Sequence, residues 1–518
     1  MAAKLPAFAV ATPIQVVALL ATVAALVVAL VLGDRRRRAL AMLAAPALAV
    51  LTLATLANSF DPLLEPVVLA GAATGGVAVL ALAWLVHRRP IALALLVVAA
   101  LPFRVPVSIG DSAANLLLPL YAVIAAGTLA YAWRALRGNS GPDGERERLL
   151  RWLAWAFAAV LLLYGLQATY STDVEQAIKN VCLFYVPFAL LFLLVLEVAW
   201  SARLLRWSMA VTVALALVFA AIGCVEFATG HLLITNAKVV EANDLLPYFR
   251  VNSLFFDPNI YGRYLALTMI VLAAVLLWTQ RRREAILIGV ALGLLWAGLV
   301  FSLSQSSFAA LLLGLAMLAA LRWKPWPVLA GAGLAALVAL ALVLFAPATL
   351  NLETGSLKEL DRATSGRSNL IGGGLRMIRD RPVHGYGSGA YAERYRERER
   401  VSSEKVAAAS HTIPLTVTAE QGVIGLAAYL ALVALSLALL FDRLRRATAG
   451  RPGAAGIARA GLAAAYCALV LHTLVYAAYL EDPLSWALLA IAAGLRARPP
   501  ADDDAEPAAT GELVATGS

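Results

Sequence analysis

Long apolar runs alternate with short polar breaks along most of this chain. A helix of roughly 20 apolar residues crosses a bilayer. By that measure the pattern predicts about 14 or 15 spanning helices, near 13–33, 39–57, 63–86, 91–103, 115–133, 151–170, 177–197, 208–228, 258–279, 285–303, 307–321, 327–346, 411–441, 455–479 and 484–495. The runs 91–103 and 484–495 are short enough to be re-entrant instead. The first run is too long for a signal-peptide core and lacks a small-residue cleavage site, so it reads as a retained span. The expected fold class is an all-α polytopic membrane protein.

Basic clusters give the orientation. Arg35 to Arg38, Arg88 with Arg89, Arg134 with Arg137, Arg203 with Arg206, Arg281 to Arg283, Arg322 with Lys324, Arg443 to Arg446 and Arg496 with Arg498 fall at every second break. Excess Lys and Arg stay on the cytoplasmic side of membrane proteins, so one assignment places all of these inside. The N-terminus, Asn58–Pro62, Ser171–Glu175, Gly230–Phe249 and 347–410 then face outward. Four regions follow: a transmembrane bundle over 1–346, an extracytoplasmic loop with amphipathic helices over 347–410, further transmembrane helices over 411–498, and a disordered cytoplasmic tail over 499–518.

The loop from Pro347 to Ser410 breaks the pattern. It carries 11 Lys/Arg against 8 Asp/Glu on the side where basic residues are usually scarce. A solvated spacer is the plain reading, because long loops are partly exempt from the rule. A site for an anionic, lipid-linked substrate is the sharper one.

Composition agrees with the membrane assignment. Hydrophobic residues make up 62% and charged residues 14%, and mean hydropathy is +0.81. The net charge of +10 is accounted for by topology and anionic lipid headgroups, with no sign of nucleic acid. Cys182, Cys224 and Cys467 sit in apolar runs without metal-ligand spacing and read as core residues.

Three outward segments carry candidate chemistry. Arg250 precedes Phe256-Asp257-Pro258-Asn259, where Asp257 suits a helix cap and Pro258 a first helical turn. Arg263 lies about a turn inside the following span. An ionisable group there is a functional candidate, with snorkelling to lipid phosphate as the other reading. The second segment holds Arg367, then an amphipathic run over 370–381. Leu370, Ile371, Leu375, Met377 and Ile378 form its apolar stripe, with Arg376, Arg379 and Arg381 facing up from a membrane surface. The turn Pro382-Val383-His384-Gly385-Tyr386-Gly387 follows, whose glycine amides are able to approach a diphosphate. The run 393–405 reads as a solvated helix. In the third segment His411 stands at the outer end of a span, with Glu420 more than two turns further in. A lone interfacial histidine is more often structural. Beside several arginines, it also suits a general base.

These segments together resemble the bacterial O-antigen ligase and O-antigen polymerase superfamily: Arg250 with Pro258-Asn259, then Arg367 with Pro382-Val383-His384-Gly385-Tyr386-Gly387, then His411 with Glu420-Gln421-Gly422-Val423-Ile424-Gly425. The resemblance covers roughly Arg250 to Leu495. Two positions depart from the family pattern. Ser304-Gln305-Ser306-Ser307 stands where Ser-Arg is usual, and Thr412 where Asn often follows the histidine. Arg263 is a candidate to replace the missing arginine.

The resemblance implies a GT-C-like glycosyltransferase of the bacterial inner (cytoplasmic) membrane, acting on the extracytoplasmic face. Its donor would be a glycan on undecaprenyl diphosphate, and its acceptor a hydroxyl of a lipid, glycan or protein. Arg250 and Arg367 would stabilise the leaving diphosphate, and His411 would take the acceptor's proton. Arg263, Asn259, Arg376, Arg379, Gly385, Tyr386, Gly387 and Glu420 would line the substrate, Glu420 as a support. No Asp-x-Asp occurs in an outward loop, so neither a metal nor another cofactor is expected. Polymerisation of lipid-linked repeat units would use the same chemistry. A lipid or glycan transporter fits less well, because transporters place ionisable groups near the midplane of inverted repeats. A scaffold role would leave the arginine and histidine set unexplained.

Overall fold

The computed structural model describes residues 12–56, 66–109, 112–138, 147–234, 239–240, 243–244, 248–323, 326–327, 330–331, 367–399, 412–476 and 478–497. The protein is an all-α polytopic membrane protein. Its helices are α1 (Pro13–Val31), α2 (Arg35–Ala54), α3 (Pro66–Arg88), α4 (Ile91–Ala100), α5 (Leu118–Arg137), α6 (Arg148–Ala168), α7 (Val174–Leu196), α8 (Ala202–Thr229), α9 (Pro258–Trp278), α10 (Arg282–Ser302), α11 (Gln305–Arg322), α12 (Arg367–Asp380), α13 (Tyr391–Glu399), α14 (Ile413–Phe441), α15 (Ala454–Thr473) and α16 (Pro483–Ala497). Among the described residues, 11 helices are long and apolar enough to cross a membrane. Of the sequence-expected spans, α4 and α16 are too short for that count, α5 is less apolar, and 327–346 lies mostly outside the described residues.

Local chemistry explains where the helices begin. Thr12 and Gln15 form a reciprocal capping box, and the side chains of Asp34, Ser201 and Asp257 each accept an amide from their own first turn. One element was not legible in the apolar pattern. An antiparallel hairpin, β1 (Val105–Ile109) and β2 (Ser112–Leu116), joins α4 to α5, with Val105 opposite Leu116.

The interior is one continuous apolar cluster. Helix α9 sits at its centre, packed by α8, α10, α11 and α15, and it buries nearly every residue from Tyr261 to Ile270. A second group forms around α1, which packs on α2 and α6. Cys182 is buried, and no described cysteine is disulfide-bonded.

Polar contacts gather at the two ends of the bundle. At one end Arg38 Nη2 donates to Leu32 O at 2.7 Å, Arg36 reaches Gly138 O at 3.1 Å, and Arg496 pairs with Glu147 and with Asp442, the latter at 2.7 Å. These contacts bring basic clusters from four different breaks to one end, as their alternation along the chain predicts. The opposite end holds Arg250, Ser302, Gln167, Thr412 and the loop after α12.

Helix α14 is not continuous. Gly422 has φ 68° and ψ −167°, a conformation open essentially to glycine alone. The stretch Ile413–Gln421 therefore forms a separate arm. Thr412 Oγ1 donates to Leu474 O at 3.0 Å, at the end of α15, and Gln421 O accepts from Gln167 Nε2 at 3.1 Å, at the end of α6. The arm thus bridges two helix ends. Glu420 sits at the break, level with the end of α6, and not at depth in an unbroken span as the sequence pattern suggested.

The two glycines Gly422, at the break, and Gly289, within α10, differ in what they tolerate. A Cβ on Gly422 would overlap the carbonyl of Val383, whereas one on Gly289 meets nothing within 4 Å. Gly422→Ala is expected to cost at least about 2 kcal/mol from backbone strain alone and to make the loop at 382–390 sensitive to protease. Gly289→Ala should be neutral or stabilising by up to about 1 kcal/mol. Thermal unfolding of the two purified variants checks the contrast, and equal melting would discount the break.

Candidate functional site

The Arg250 segment is shaped by a buried carboxylate. Glu226, near the end of α8, accepts the amides of Leu233 at 2.8 Å, Asn252 at 3.2 Å and Ser253 at 2.7 Å. Ser253 is thereby held at φ 51°, turning the chain towards α9. Arg250 is fixed on both sides. Its backbone pairs with the side chain of Asn243 in both directions at 3.0 Å. Its Nε donates to Ser302 O at 3.2 Å and its Nη2 to Asn259 Oδ1 at 3.4 Å.

Asn259 Oδ1 also accepts from Ser304 Oγ at 2.9 Å. Ser304 Oγ lies 2.8 Å from Ser307 Oγ, and Ser306 Oγ lies 3.1 Å from His472 Nε2. The serine run that departs from the family pattern therefore supplies three buried hydroxyls joining α9, α11 and α15. His472 was not anticipated. Its only sequence signal was a histidine at the end of an apolar run.

Below this network lies a buried ion pair. Arg263 Nη2 stands 2.6 Å from Asp482 Oδ2, and both side chains are 1% exposed. Arg263 is thus turned into the bundle and does not snorkel to lipid, because a buried acid on the short linker before α16 takes its charge. Its Nε and Nη1 have no hydrogen-bond partner among the described residues. Arg104, just before the hairpin, lies close enough to Asp482 and Arg263 for their charges to act on it. Burial lowers its pKa, the Asp482 charge opposes that shift, and Arg263 adds to it. Arg263 alone forms the ion pair with Asp482, and Arg104 feels both charges. Tyr476 packs near Arg263 and donates to Asp257 Oδ2 at 3.0 Å. Burial first, and the Asp257 carboxylate second, hold its phenol protonated. Arg104 and Asp482 had the same sequence signal as Arg250, an ionisable residue at an outward break, but they lie far from it along the chain.

The glycine-rich turn packs against the break in α14. Tyr386 N donates to Ala419 O at 3.2 Å, Gly387 N to Glu420 O at 2.8 Å, and Val423 N to Pro382 O at 2.8 Å. Gly385 and Gly387 have positive φ, and a Cβ on either would strike the backbone of Glu420 or Ser171. Gly385 N bonds Arg381 O, so the amides of Gly385, Tyr386 and Gly387 are all engaged within the protein. Glu420 accepts Gly389 N at 2.9 Å and Tyr391 N at 3.1 Å. Gln167 and Ser171 of the α6 end bind the same turn through His384 O and Ser388 O.

Helix α12 buries Met377 against Tyr391, Tyr395 and Ala419, with Leu370 and Ile378 beside it. The expected apolar stripe is thus divided, since Ile371 and Leu375 remain exposed. Arg376 pairs with Glu399 of α13 at 2.6 Å, Arg379 is exposed, and Arg381 lies over the Tyr386 ring at 4.7 Å. Within α13, Arg394 pairs with Glu397 and Arg396 with Glu393, as expected of a solvated helix.

His411 and the Arg367 side chain fall outside the described residues, but helix α12, which begins at Arg367, and the arm, which begins at Ile413, are placed. Helix α12 runs in the same direction as the arm: Gly374 faces Leu415, Met377 faces Ala419, and Pro382 faces Val423. At 1.5 Å per residue, Arg367 begins α12 about 10 Å before Gly374, beyond the start of the arm. His411 immediately precedes that start. Thr412 is joined to Leu474, and Tyr476 two residues on is joined to Asp257, which caps the helix carrying Asn259. Asn259 in turn holds Arg250.

Residues 290–430 match the O-antigen ligase family. That match supports membership of the O-antigen ligase superfamily. No curated protein matches it. The matched stretch contains Arg367, His411, Glu420 and both glycine motifs. Arg250, Asn259, Arg263, Arg104, His472 and Asp482 lie outside it. The family supports a glycosyltransferase-type membrane enzyme with ligase- or polymerase-type function in the broad sense, acting on lipid-linked glycans.

The buried pair gives a direct test. Asp482→Asn should destabilise the protein by roughly 3–5 kcal/mol, because the Arg263 guanidinium is left buried without its counter-charge. Replacing Arg263 by Met as well should restore part of the loss. Chemical denaturation of the single and double variants in detergent measures both, and a fully stable single variant would deny the pair its role.

Proposed function

We propose that this enzyme transfers a glycan from undecaprenyl diphosphate to an acceptor hydroxyl on the extracytoplasmic face of the inner membrane, by a metal-independent, GT-C-like mechanism. The acceptor oxygen attacks the anomeric carbon as the bond from that carbon to the diphosphate oxygen breaks. His411 takes the hydroxyl proton. The diphosphate leaves with the bonding electrons, and Arg250 and Arg367 hold its growing charge with forked hydrogen bonds. Donors fixed before the reaction stabilise such a charge more effectively than mobile water does. Asn259 keeps the Arg250 guanidinium in place, and Arg104 with Arg263 adds positive potential beneath it.

The observation that carries this reading is the run of contacts from Arg250 through Asn259, Asp257, Tyr476 and Leu474 to Thr412, the neighbour of His411. It supports bringing residues far apart in sequence to one end of the bundle, opposite the arginine-rich end. The positive-inside rule supports reading that end as extracytoplasmic.

The test uses purified protein reconstituted with a polyprenyl-diphosphate glycan and a panel of hydroxyl acceptors, in the presence of chelator. Release of polyprenyl diphosphate matched by a new glycosidic bond is the expected result. Arg250→Ala, Arg367→Ala and His411→Ala should each lower turnover by about 100-fold or more while the protein stays folded. Wild-type rates in all three would reject the site. Growth of the donor glycan by whole repeat units would identify a polymerase, and lipid movement without bond formation a transporter.

A further inference from the structure

His472 is a buried imidazole at the end of α15 that the transfer chemistry above does not use. Two routes run from it to Asn259. Its Nε2 lies 3.1 Å from Ser306 Oγ and 3.5 Å from Ser307 Oγ. Those hydroxyls lie 3.3 Å and 2.8 Å from Ser304 Oγ, which meets Asn259 Oδ1 at 2.9 Å. On its other side the His472 ring packs on Tyr476, with centroids 5.5 Å apart. Tyr476 binds the Asp257 carboxylate, which also accepts Asn259 N. Helix α9 leaves room for the serines. A Cβ on Gly262, one turn on from Asn259, would come to 2.9 Å from both Ser302 Oγ and Ser307 Oγ.

The hydrogens in this chain are ordered from one end. A guanidinium only donates, so the Asn259 atom facing Arg250 Nη2 is the amide oxygen. That oxygen only accepts, so the single Ser304 hydroxyl proton points to it. Ser304 Oγ is left to accept. Ser307 donates to it, since its other acceptor, Asn259 O, is farther away at 3.4 Å. An Nε2–H on His472 completes the order by donating to Ser306, which then donates to Ser304. Every hydrogen along the line is thereby directed at Asn259, and aligned hydrogen bonds strengthen one another. Asn259 Oδ1 is tied twice. Turning its amide over would set NH2 against the Arg250 guanidinium, donor against donor, and the Ser304 tie opposes that turn.

We propose that His472 is a positioning residue for Arg250: working through Ser306 and Ser304, it locks the Asn259 amide with its oxygen towards the guanidinium. What Arg250 does to the diphosphate rests on the transfer reading above; how Arg250 is held does not.

Two measurements on the full-length protein test this. Phenylglyoxal labelling, read at Arg250 by mass spectrometry, reports how firmly the guanidinium is held and needs no turnover. Labelling should rise about 3- to 10-fold in His472→Phe and in Ser304→Ala, and stay near wild type in His472→Gln, whose amide still donates. In the glycan-transfer assay His472→Phe should lower kcat roughly 10-fold with the acceptor KM little changed, and His472→Gln should recover most of the rate. The same loss should disappear in an Arg250→Ala background, because the two side chains act as one unit. Should His472→Phe fail to fold, Ser306→Ala breaks the same line with a smaller change in volume and is read in the same way. Wild-type labelling in His472→Phe would overturn the proposal. Raised labelling that His472→Gln does not correct would overturn it too, marking His472 as packing alone. A wild-type rate in Arg250→Ala would instead reject the transfer reading, and the labelling would still decide the role of His472.

Discussion

A helix that breaks within a membrane protein leaves amides and carbonyls that lipid cannot satisfy, and the polar end of this molecule is organised around such a break at Gly422. Irregular backbone at membrane level survives only where protein supplies the missing partners. Here the turn from Pro382 to Gly387 supplies them, bonding Ala419, Glu420 and Val423. The Glu420 carboxylate closes the junction by accepting the amides of Gly389 and Tyr391. Each of these bonds contributes about 0.5–1.5 kcal/mol net, but leaving any one unmade would cost more. Two glycine motifs that are distant in sequence are therefore two halves of one joint. Loop and arm hold their positions through each other.

Much of the fold was legible in the apolar pattern because spanning helices depend on local composition. The Asp257-Pro258 helix start was equally plain, since a cap and a first-turn proline act within a few residues. Contacts between distant segments were not legible. The pairing of Arg263 with Asp482 turned a residue suspected of reaching for lipid into a buried one. The hairpin at 105–116 escaped because neither strand is long or strongly alternating. The break in α14 escaped because a single Gly in an apolar run looks the same whether its φ is negative or positive. At the site, the sequence singled out Arg250, Asn259 and Glu420, and the structure places each at the polar end. It missed Arg104, His472, Tyr476 and Asp482, whose significance lies in their neighbours.

The two ends handle positive charge differently. At the arginine-rich end, guanidinium groups meet carbonyls and carboxylates near the surface, as Arg496 does with Glu147 and Asp442. At the polar end the arginines of α12 and α13 likewise pair with acids near the surface, but Arg263 is withdrawn into the bundle with Asp482 as its acid. Charge held in that way has a strong field, because little water is present to screen it. The serine hydroxyls around Asn259 add dipoles without adding charge. An anionic group arriving there would meet donors already in position.

The late arrival of Asp482 also bears on how the chain is made. Arg263 enters the membrane with α9, but its counter-charge belongs to the linker before the last helix. At ordinary synthesis rates, roughly ten to forty seconds separate the two. During that interval a lone guanidinium must be tolerated near the membrane boundary, at a cost of up to about 3 kcal/mol. The nascent bundle is consequently unfinished until the Asp482 linker arrives, and a chain released before Asp482 would still be seeking its anion.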